Sequence, residues 1–254
     1  MNKLTADTLE SLFSLEGRTG IVTGASGGIG KGIAMLLSNA GAKVYNLDIT
    51  VPEKEYHKCI VSYKVDITNM ALLKKTIDEI GSKDGIDFLV NNAGITKLVR
   101  AEDVTPEWWA KIHSVNIDAL YFASQFAYPY LKKSESAGRI VNITSMAAYM
   151  GFSRVVPYCA TKSGVSGITR GLATEWAEDN ILVNSVSPGW FQSDMNKQVV
   201  DKDRERKILA KIALGKYGRM DDIAQMVFFL LSNASTYITG QDFSVDGGAR
   251  SFGY

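Results

Sequence analysis

The sequence predicts an α/β fold in which helices cover both faces of a doubly wound parallel sheet of about seven strands. Two observations lead to this prediction. Short apolar segments rich in β-branched residues alternate with amphipathic helical segments almost to the end of the chain. These apolar segments contain few polar residues, as expected of strands buried on both faces. No Pro-rich or Ser-rich linker and no repeat interrupts the 254 residues, which predicts one domain over residues 1–254.

The first strand and helix set the pattern for the elements that follow. A strand at 19–23 leads through a glycine-rich turn into a helix at 29–39, and Gly41 suits the end of that helix because glycine readily adopts positive φ. Another helix is predicted at 72–80, and a long one follows Pro106, whose fixed φ fits a first helical turn. The remaining strands are predicted at 43–47, 59–65, 86–90, 139–143, 181–186 and 242–246.

Composition and charge exclude several classes of function. A net charge of +1 gives no electrostatic reason to bind nucleic acid or a membrane surface. No apolar run approaches the roughly 18 residues of a membrane span, and residues 1–7 lack the apolar core of a signal peptide. Cys59 and Cys159 form no disulfide or metal-binding pattern, and the chain has only 2 histidines. We therefore expect a cytoplasmic protein without a metal site.

The glycine-rich turn has the sequence context of a dinucleotide-binding site. Gly24, Gly28 and Gly30 follow a strand and open a helix. Glycine lets backbone N–H groups approach a phosphate closely, and the N-terminus of the helix offers unpaired donors to the anion. The spacing Gly-x-x-x-Gly-x-Gly differs from the commoner Gly-x-Gly-x-x-Gly, and a tight turn without a ligand would also use glycine.

Asp48 favours NAD as the dinucleotide. It closes the second strand roughly 20 residues after the turn, where a carboxylate accepts hydrogen bonds from the adenosine ribose hydroxyls. The same charge repels the ribose phosphate of NADP. Ser26, Gly27 and Ile49 provide no basic side chain for that phosphate, and Lys31 lies inside the helix, where it is less suited. The alternative is a solvated acid at a strand end.

Tyr158 and Lys162 form a candidate pair for proton transfer. They are four residues apart and share one face if the segment is helical. A phenol titrates near pH ~10, and a neighbouring ammonium lowers that pKa towards the range useful for a base. Ser145, at the end of the fifth strand, can hydrogen-bond the oxygen of a carbonyl or alcohol. Together with the upstream glycine turn, these residues predict a nicotinamide-dependent oxidoreductase.

The chain resembles the short-chain dehydrogenases/reductases over nearly its whole length. The residues that carry the resemblance are Thr23-Gly24-x-x-x-Gly28-Ile29-Gly30, Asp66, Asn91-Asn92-Ala93-Gly94, Asn116, Ser145, Tyr158-x-x-x-Lys162, Pro188-Gly189 and Asp246-Gly247-Gly248. The resemblance implies a single-domain Rossmann fold and interconversion of a secondary alcohol and a ketone. It also implies a homotetramer, with the helices after the fourth and fifth strands and the C-terminal tail at its interfaces.

The resemblance implies a catalytic role for four residues. Tyr158 is the general acid or base, and Lys162 lowers its pKa while holding the nicotinamide ribose. Ser145 orients the reacting oxygen of the substrate. Asn116 kinks its helix and holds a water that connects Lys162 with solvent in a proton relay.

The resemblance also implies the contacts with the cofactor. Asp66 meets the adenine amino group, Asn92-Ala93-Gly94 packs along the adenosine, and Pro188-Gly189 lies against the nicotinamide. Ser193 stands where a threonine usually contacts the carboxamide, and it keeps the hydroxyl. The complete expected set is Gly24, Ser26, Gly28, Ile29, Gly30, Asp48, Ile49, Asp66, Ile67, Asn92, Ala93, Gly94, Tyr158, Lys162, Pro188, Gly189 and Ser193.

Two arginines suggest an anionic substrate, contacted together with Ser145 and Tyr158. Arg154 precedes Tyr158 by four residues, and Arg100 lies in the loop after the fourth strand. Arginine suits bidentate binding of a carboxylate. The pattern Ser-Met-x-x-Tyr-x-Gly-x-x-Arg is similar to the sugar-acid branch of the family, which acts on gluconate or 2-dehydro-3-deoxygluconate. The alternative is that both arginines face solvent and make only structural salt bridges.

Three further functions stay open at this point. A 3-oxoacyl-(acyl-carrier-protein) reductase would look much alike, although such enzymes usually take NADPH, which Asp48 disfavours. A polyol or hydroxysteroid dehydrogenase would share the same chemistry. A non-catalytic dinucleotide sensor is the most distant alternative, because such proteins typically lose the Tyr or the Lys that this chain keeps.

Overall fold

The structure, a computed structural model, describes residues 3–191 and 202–251. Seven strands form one sheet in the order β3-β2-β1-β4-β5-β6-β7, and every neighbouring pair is parallel. The strands are β1 (Thr19–Thr23), β2 (Lys43–Asp48), β3 (Ile60–Lys64), β4 (Phe88–Asn91), β5 (Gly138–Ile143), β6 (Ile181–Pro188) and β7 (Asp242–Val245). The predicted fold class is confirmed.

Helices cover both faces of the sheet. They are α1 (Lys3–Phe13), α2 (Gly28–Asn39), α3 (Met70–Asp84), α4 (Pro106–His113), α5 (Ala119–Leu131), α6 (Val156–Glu175), α7 (Lys202–Leu209) and α8 (Met220–Leu231). The sequence patterns predict α2 and α3 but not α1. In the described part of the chain, no helix combines the length and the apolar character needed to cross a bilayer.

Alternation along the strands divides the core into two layers. Val22 packs with α2 and α8, whereas its neighbour Ile21 packs with α3, α5 and α6. Both side chains are completely buried. Because successive side chains of a strand point to opposite faces, a strand covered on both sides needs apolar residues at consecutive positions.

The order of the strands determines where a ligand can bind. The chain moves outward from β1 through β2 to β3, then returns to place β4 on the other side of β1. The loops after β1 and β4 therefore leave in opposite directions and open a crevice at the carboxyl ends of these strands. The glycine-rich turn follows β1 and thus lies at this crevice.

Candidate active site

Two adjoining cavities occupy the crevice. The larger, of about 580 Å³, lies over the ends of β1 and β2, and the smaller, of about 310 Å³, lies over the ends of β5 and β6. Ile29, Asn92, Gly94, Ile95 and Met220 line both cavities. The two cavities thus form one cleft with a nucleotide-sized end and a smaller end that holds the candidate catalytic groups.

The glycine turn leaves room that a side chain would fill. Gly24 and Gly28 have φ of +68° and +53°, which side chains rarely adopt. A Cβ at Gly30 would lie 2.3 Å from the carbonyl oxygen of Gly24 and 2.4 Å from Nδ2 of Asn92. Gly27, the N-cap residue of α2, has no side chain to cap the helix, so the first N–H groups of this helix stay available for a phosphate.

The end of β2 fastens the glycine turn in place. Asp48 Oδ2 accepts a hydrogen bond from the backbone N–H of Ser26 at 3.0 Å, and Oδ1 accepts one from Thr50 N–H at 3.1 Å. Asn46 Oδ1 accepts a third from Ala25 N–H at 2.9 Å. Asp48 and Ile49 both line the larger cavity, so the carboxylate brings its negative charge to the end of the cleft expected to hold the adenosine ribose.

The end of β4 is joined to the same turn. Thr23 Oγ1 accepts hydrogen bonds from the N–H groups of Asn92 and Ala93 at 3.0 and 3.1 Å. Asn92 Nδ2 donates to the carbonyl oxygens of Thr23 and Gly24 at 2.9 and 3.0 Å. We call the segments 23–30, 46–49 and 91–94 the nucleotide cradle.

Asp66 and Ile67 form the outer wall of the larger cavity. Asp66 accepts hydrogen bonds from the hydroxyl and the N–H of Thr68 at 2.7 and 2.9 Å. These bonds, helped by the positive charge of Lys111, hold the pKa of Asp66 below its usual range. The carboxylate is therefore a hydrogen-bond acceptor, as contact with an adenine amino group requires.

Asn116 lies at a distortion of the long helix that follows Pro106. A single π-helical turn, Ser114–Asp118, separates α4 from α5. Within it, the almost fully buried Asn116 accepts a hydrogen bond from Ile95 N–H at 2.9 Å and donates to the Ile95 carbonyl oxygen at 3.0 Å. Its Nδ2 also reaches Thr161 Oγ1 at 3.1 Å. The kink connects the loop after β4 with helix α6.

Ser145, Tyr158 and Lys162 line the smaller cavity together with Pro188 and Gly189. Helix α6 places the ammonium of Lys162 at 5.6 Å from the centroid of the Tyr158 ring. Ser145 hydrogen-bonds the Tyr158 side chain and accepts from Ala147 N–H at 3.1 Å. The predicted catalytic residues thus meet at one end of the cleft.

Burial governs the titration of Lys162 and Tyr158. It lowers the pKa of Lys162 to about 8, and Nζ donates to the carbonyl oxygen of Ile143 at 2.7 Å. Burial also raises the pKa of Tyr158, against the smaller opposite effect of the Ser145 hydrogen bond. The predicted lowering of the Tyr158 pKa by Lys162 is therefore absent from this arrangement, because the ammonium is turned to Ile143 and desolvation dominates.

The loops that carry the two arginines are joined to each other, and the first of them begins at Ile95 and Thr96 in the lining of the smaller cavity. Val99 N–H donates to the carbonyl oxygen of Arg154 at 2.8 Å, so Arg100 and Arg154 lie on adjoining loops. Both side chains are exposed, and Arg100 Nε pairs with Glu102 at 2.5 Å. Neither arginine lines the two cavities in the described part of the chain. We call the segments 95–100 and 149–154 the substrate rim.

Several lining residues carry no signal in the sequence. Thr96, Ile143, Thr144, Phe191 and Met220 complete the smaller cavity. Their apolar or small side chains follow the same pattern as the core, so only the spatial arrangement identifies them. The predicted cofactor residue Ser193 lies outside the described residues.

The chain is similar to proteins of related chemistry. A family model described as Enoyl-(Acyl carrier protein) reductase matches residues 24–250. The 2-dehydro-3-deoxy-D-gluconate 5-dehydrogenase of Escherichia coli (strain K12) is 36% identical over 94% of this chain and 97% of its own length. The 3-oxoacyl-(acyl-carrier-protein) reductase of Thermotoga maritima is 37% identical over 92% of this chain and 98% of its own length.

A solved relative has the same architecture. The gluconate 5-dehydrogenase of Burkholderia cenocepacia J2315, in complex with NADP and tartrate, superposes with a TM-score of 0.89 at 29% identity. The match covers 96% of this chain and 99% of that protein. Similarity of this extent includes every element that lines the cleft, rather than the nucleotide-binding half alone.

Proposed function

Since the chain belongs to the short-chain dehydrogenase/reductase family and is an NAD(P)-dependent dehydrogenase acting on CH–OH groups, we propose that its substrate is a sugar acid and its preferred coenzyme NAD. The sugar acid is gluconate or 2-dehydro-3-deoxygluconate. The observation that carries the proposal is the continuity of the cleft, in which the nucleotide cradle adjoins the cavity of Ser145, Tyr158 and Lys162.

The residues of the smaller cavity divide the proton chemistry between them. A nicotinamide bound in the cleft would supply the hydride chemistry. Tyr158 removes the hydroxyl proton during oxidation and returns it during reduction, and Ser145 holds the same oxygen by a hydrogen bond. With the Lys162 ammonium bound to the Ile143 carbonyl oxygen, burial keeps the pKa of Tyr158 raised, and the positive charge of an oxidised nicotinamide bound in the cleft would oppose that effect. Asn116 connects this site with the loop after β4.

The carboxylate of Asp48 supports NAD as the coenzyme. Both of its oxygens accept hydrogen bonds from the N–H groups of Ser26 and Thr50, which hold the carboxylate at the ribose end of the cavity. A phosphate on that ribose would meet a like charge. Relatives of this chain have been solved with NADP, so the preference depends on the residues of this cradle rather than on the fold.

The substrate rim supports an anionic substrate. Two exposed guanidinium groups stand on loops joined by the Val99–Arg154 backbone hydrogen bond, one of which begins at Ile95 and Thr96 in the lining of the catalytic cavity, and only Arg100 has an acidic partner among the described ion pairs. Arginine binds carboxylates with paired hydrogen bonds. The curated relatives that act on 2-dehydro-3-deoxy-D-gluconate, and the solved relative with bound tartrate, a dicarboxylate, agree with this substrate class.

A panel of substrates tests the proposal. Purified protein is offered gluconate, 2-dehydro-3-deoxygluconate, neutral polyols and a 3-oxoacyl thioester, each with NAD(H) and NADP(H), and absorbance at the nicotinamide band is followed. We expect turnover of a sugar acid with NAD, and loss of all turnover in Tyr158→Phe with NADH binding retained. Full activity of Tyr158→Phe would remove this residue as the acid or base.

A 3-oxoacyl-(acyl-carrier-protein) reductase is the second candidate. The observation in its favour is the 37% identity to such an enzyme, together with the acyl-carrier-protein description of the matching family. Preference for the thioester with NADPH in the same panel would establish this candidate and overturn both the Asp48 and the arginine arguments.

We also propose that the chain assembles as a homotetramer through α5. This helix exposes more than a third of Tyr121 and of Phe122, and the ring of Phe122 stacks with Phe126 at 6.0 Å between centroids. Contiguous exposed aromatic rings are typical of protein interfaces. Sedimentation velocity should give a tetramer that Phe122→Glu dissociates, and a wild-type monomer would contradict the proposal.

A further inference from the structure

Asp242, the first residue of β7, forms hydrogen bonds with four side chains from other parts of the fold. Oδ1 accepts from the hydroxyl of Ser187 at 2.5 Å, and Oδ2 accepts from those of Thr144 and Ser166 at 3.0 and 3.3 Å. The hydroxyl of Tyr149 hydrogen-bonds the same carboxylate. The three smaller donors are buried, and the carboxylate is half-buried.

Each donor is next to a part of the catalytic site. Thr144 directly precedes Ser145 where β5 ends, and Ser187 is the last residue but one of β6, whose end lines the catalytic cavity. Ser166 lies one helical turn after Lys162, and its hydroxyl also donates to the Lys162 carbonyl oxygen at 3.4 Å. One carboxylate therefore joins the segments that hold Ser145, Tyr158 and Lys162.

Tyr149 extends the cluster to the loop that follows Ser145. Its pKa is raised, mainly by burial, so the phenol stays protonated as a donor. The guanidinium of Arg250 stacks on the Tyr149 ring at 3.5 Å from its centroid, while Nη1 donates to Ser244 Oγ at 2.7 Å. Arg250 thus connects the loop of Tyr149 with β7, to which Ser244 belongs.

We propose that Asp242 is a positioning residue of the catalytic site. Its carboxylate fixes the ends of β5 and β6, helix α6 and the loop after Ser145 relative to one another, and it acts on the reaction only through them. An ionised carboxylate offers acceptors on both oxygens, whereas an amide of the same shape offers one acceptor and a donor group. The inference rests on the proposed function, because it takes the Ser145–Tyr158–Lys162 site as the reacting one.

The chain provides a matched control for a purely structural carboxylate. Asp84, at the end of α3, accepts hydrogen bonds from the Tyr45 hydroxyl and from Lys43 Nζ. Lys43 begins β2, so this cluster lies at the opposite edge of the sheet from the active site. Both aspartates are partly buried and bind a tyrosine. Only Asp242 is connected to the catalytic elements.

The experiment compares Asp242→Asn with Asp84→Asn. Initial rates are measured with NAD and 2-dehydro-3-deoxygluconate, or with the compound of the panel that the wild type turns over fastest, alongside the Kd for NADH and the Tm. We expect kcat of Asp242→Asn to fall about ten- to hundredfold, since misplacing catalytic groups by about 1 Å has effects of this size. The Kd for NADH should stay within twofold, and kcat of Asp84→Asn should equal that of the wild type. Tyr149→Phe and Ser166→Ala, which each remove one donor, should lower kcat by less.

The outcomes separate the inference from the function on which it rests. The inference is overturned if Asp242→Asn keeps the kcat of the wild type, or if Asp84→Asn loses as much kcat as Asp242→Asn. The proposed function still stands in either case if Tyr158→Phe is inactive. Turnover of no compound by the wild type overturns both. If Asp242→Asn does not fold, the double variant Tyr149→Phe with Ser166→Ala is judged by the same criteria.

Discussion

The nucleotide cradle and the substrate rim lie at the same edge of the sheet but are built in different ways. In the cradle, short side chains bind the backbone: Asp48, Asn92 and Thr23 together hold both ends of the glycine turn. In the rim, one backbone hydrogen bond between Val99 and Arg154 joins the two loops, and the side chains that could recognise a substrate are exposed.

This difference indicates which region can change its substrate specificity by substitution. A side chain added at Gly24 or Gly30 meets backbone atoms of Ala93 or of Gly24, so these two positions tolerate few substitutions. A side chain exchanged in the rim meets solvent. We therefore expect cradle substitutions to affect every substrate alike, and rim substitutions to change only the preference among substrates.

Gly30→Ala should produce the largest effect on the cradle. The new Cβ would lie 2.3 Å from the Gly24 carbonyl oxygen, so the turn has to move. Overpacking of this kind costs about 1–3 kcal/mol, which corresponds to about a five- to 150-fold rise in the Kd for NADH. Gly32→Ala is the matched control on the same helix, because its Cβ would come no closer than 3.8 Å to Met220. Equal binding by the two variants, measured by NADH fluorescence, would contradict a rigid cradle.

The pKa of Lys162 provides a test of whether the catalytic end of the cleft is as strongly shielded from solvent as the cradle. With a pKa of about 8 when folded and its ordinary 10.5 when unfolded, the unfolded chain binds more protons between these values. The contribution of Lys162 to the free energy of unfolding therefore increases as pH rises from about 8 to 10.5, by about 3 kcal/mol.

Lys162→Met makes this pH dependence measurable. The variant should be more stable than the wild type at pH 7, and the difference should shrink towards pH 10, because the methionine has no charge to desolvate. Urea unfolding at several pH values measures it, with Lys83→Met, on the last turn of α3, as the control. Parallel stability curves for the wild type and Lys162→Met would show that Lys162 is solvated.

The sequence predicts the cradle better than the rest of the site, for a physical reason. Positive φ at Gly24 and a helix beginning at Gly28 are local properties, because they depend on the identities of adjacent residues. The hydrogen bonds of Asp242 join residues that are 55 to 98 positions apart, so no local sequence pattern predicts them. Helix α1, without any motif, and Met220, with the pattern of a core residue, were unpredictable on the same grounds.

Asp48→Asn tests coenzyme preference within the cradle. The amide keeps one acceptor oxygen for the turn but removes the charge. Because like charges a few ångströms apart cost about 1–4 kcal/mol, the ratio of kcat/KM for NADP to that for NAD should rise about tenfold or more. Asp66→Asn, in the same cavity at the adenine end, should affect both coenzymes equally. An unchanged ratio in Asp48→Asn would remove the assigned role of Asp48.

Arg154→Ala should have the smallest effect and the most selective one. Alanine keeps the Cβ, so the positive φ of 69° is equally unfavourable in both residues and the backbone bond to Val99 is retained. Exposed charge pairs contribute about 0–1 kcal/mol, so KM for a sugar acid should rise about three- to fivefold while KM for a neutral polyol stays unchanged. Arg170→Ala, which removes another exposed arginine farther along α6, is the control and should change neither KM. If Arg154→Ala raised both KM values equally, the rim would shape the cavity without recognising the carboxylate, and the specificity for sugar acids would have to come from residues inside the cavity.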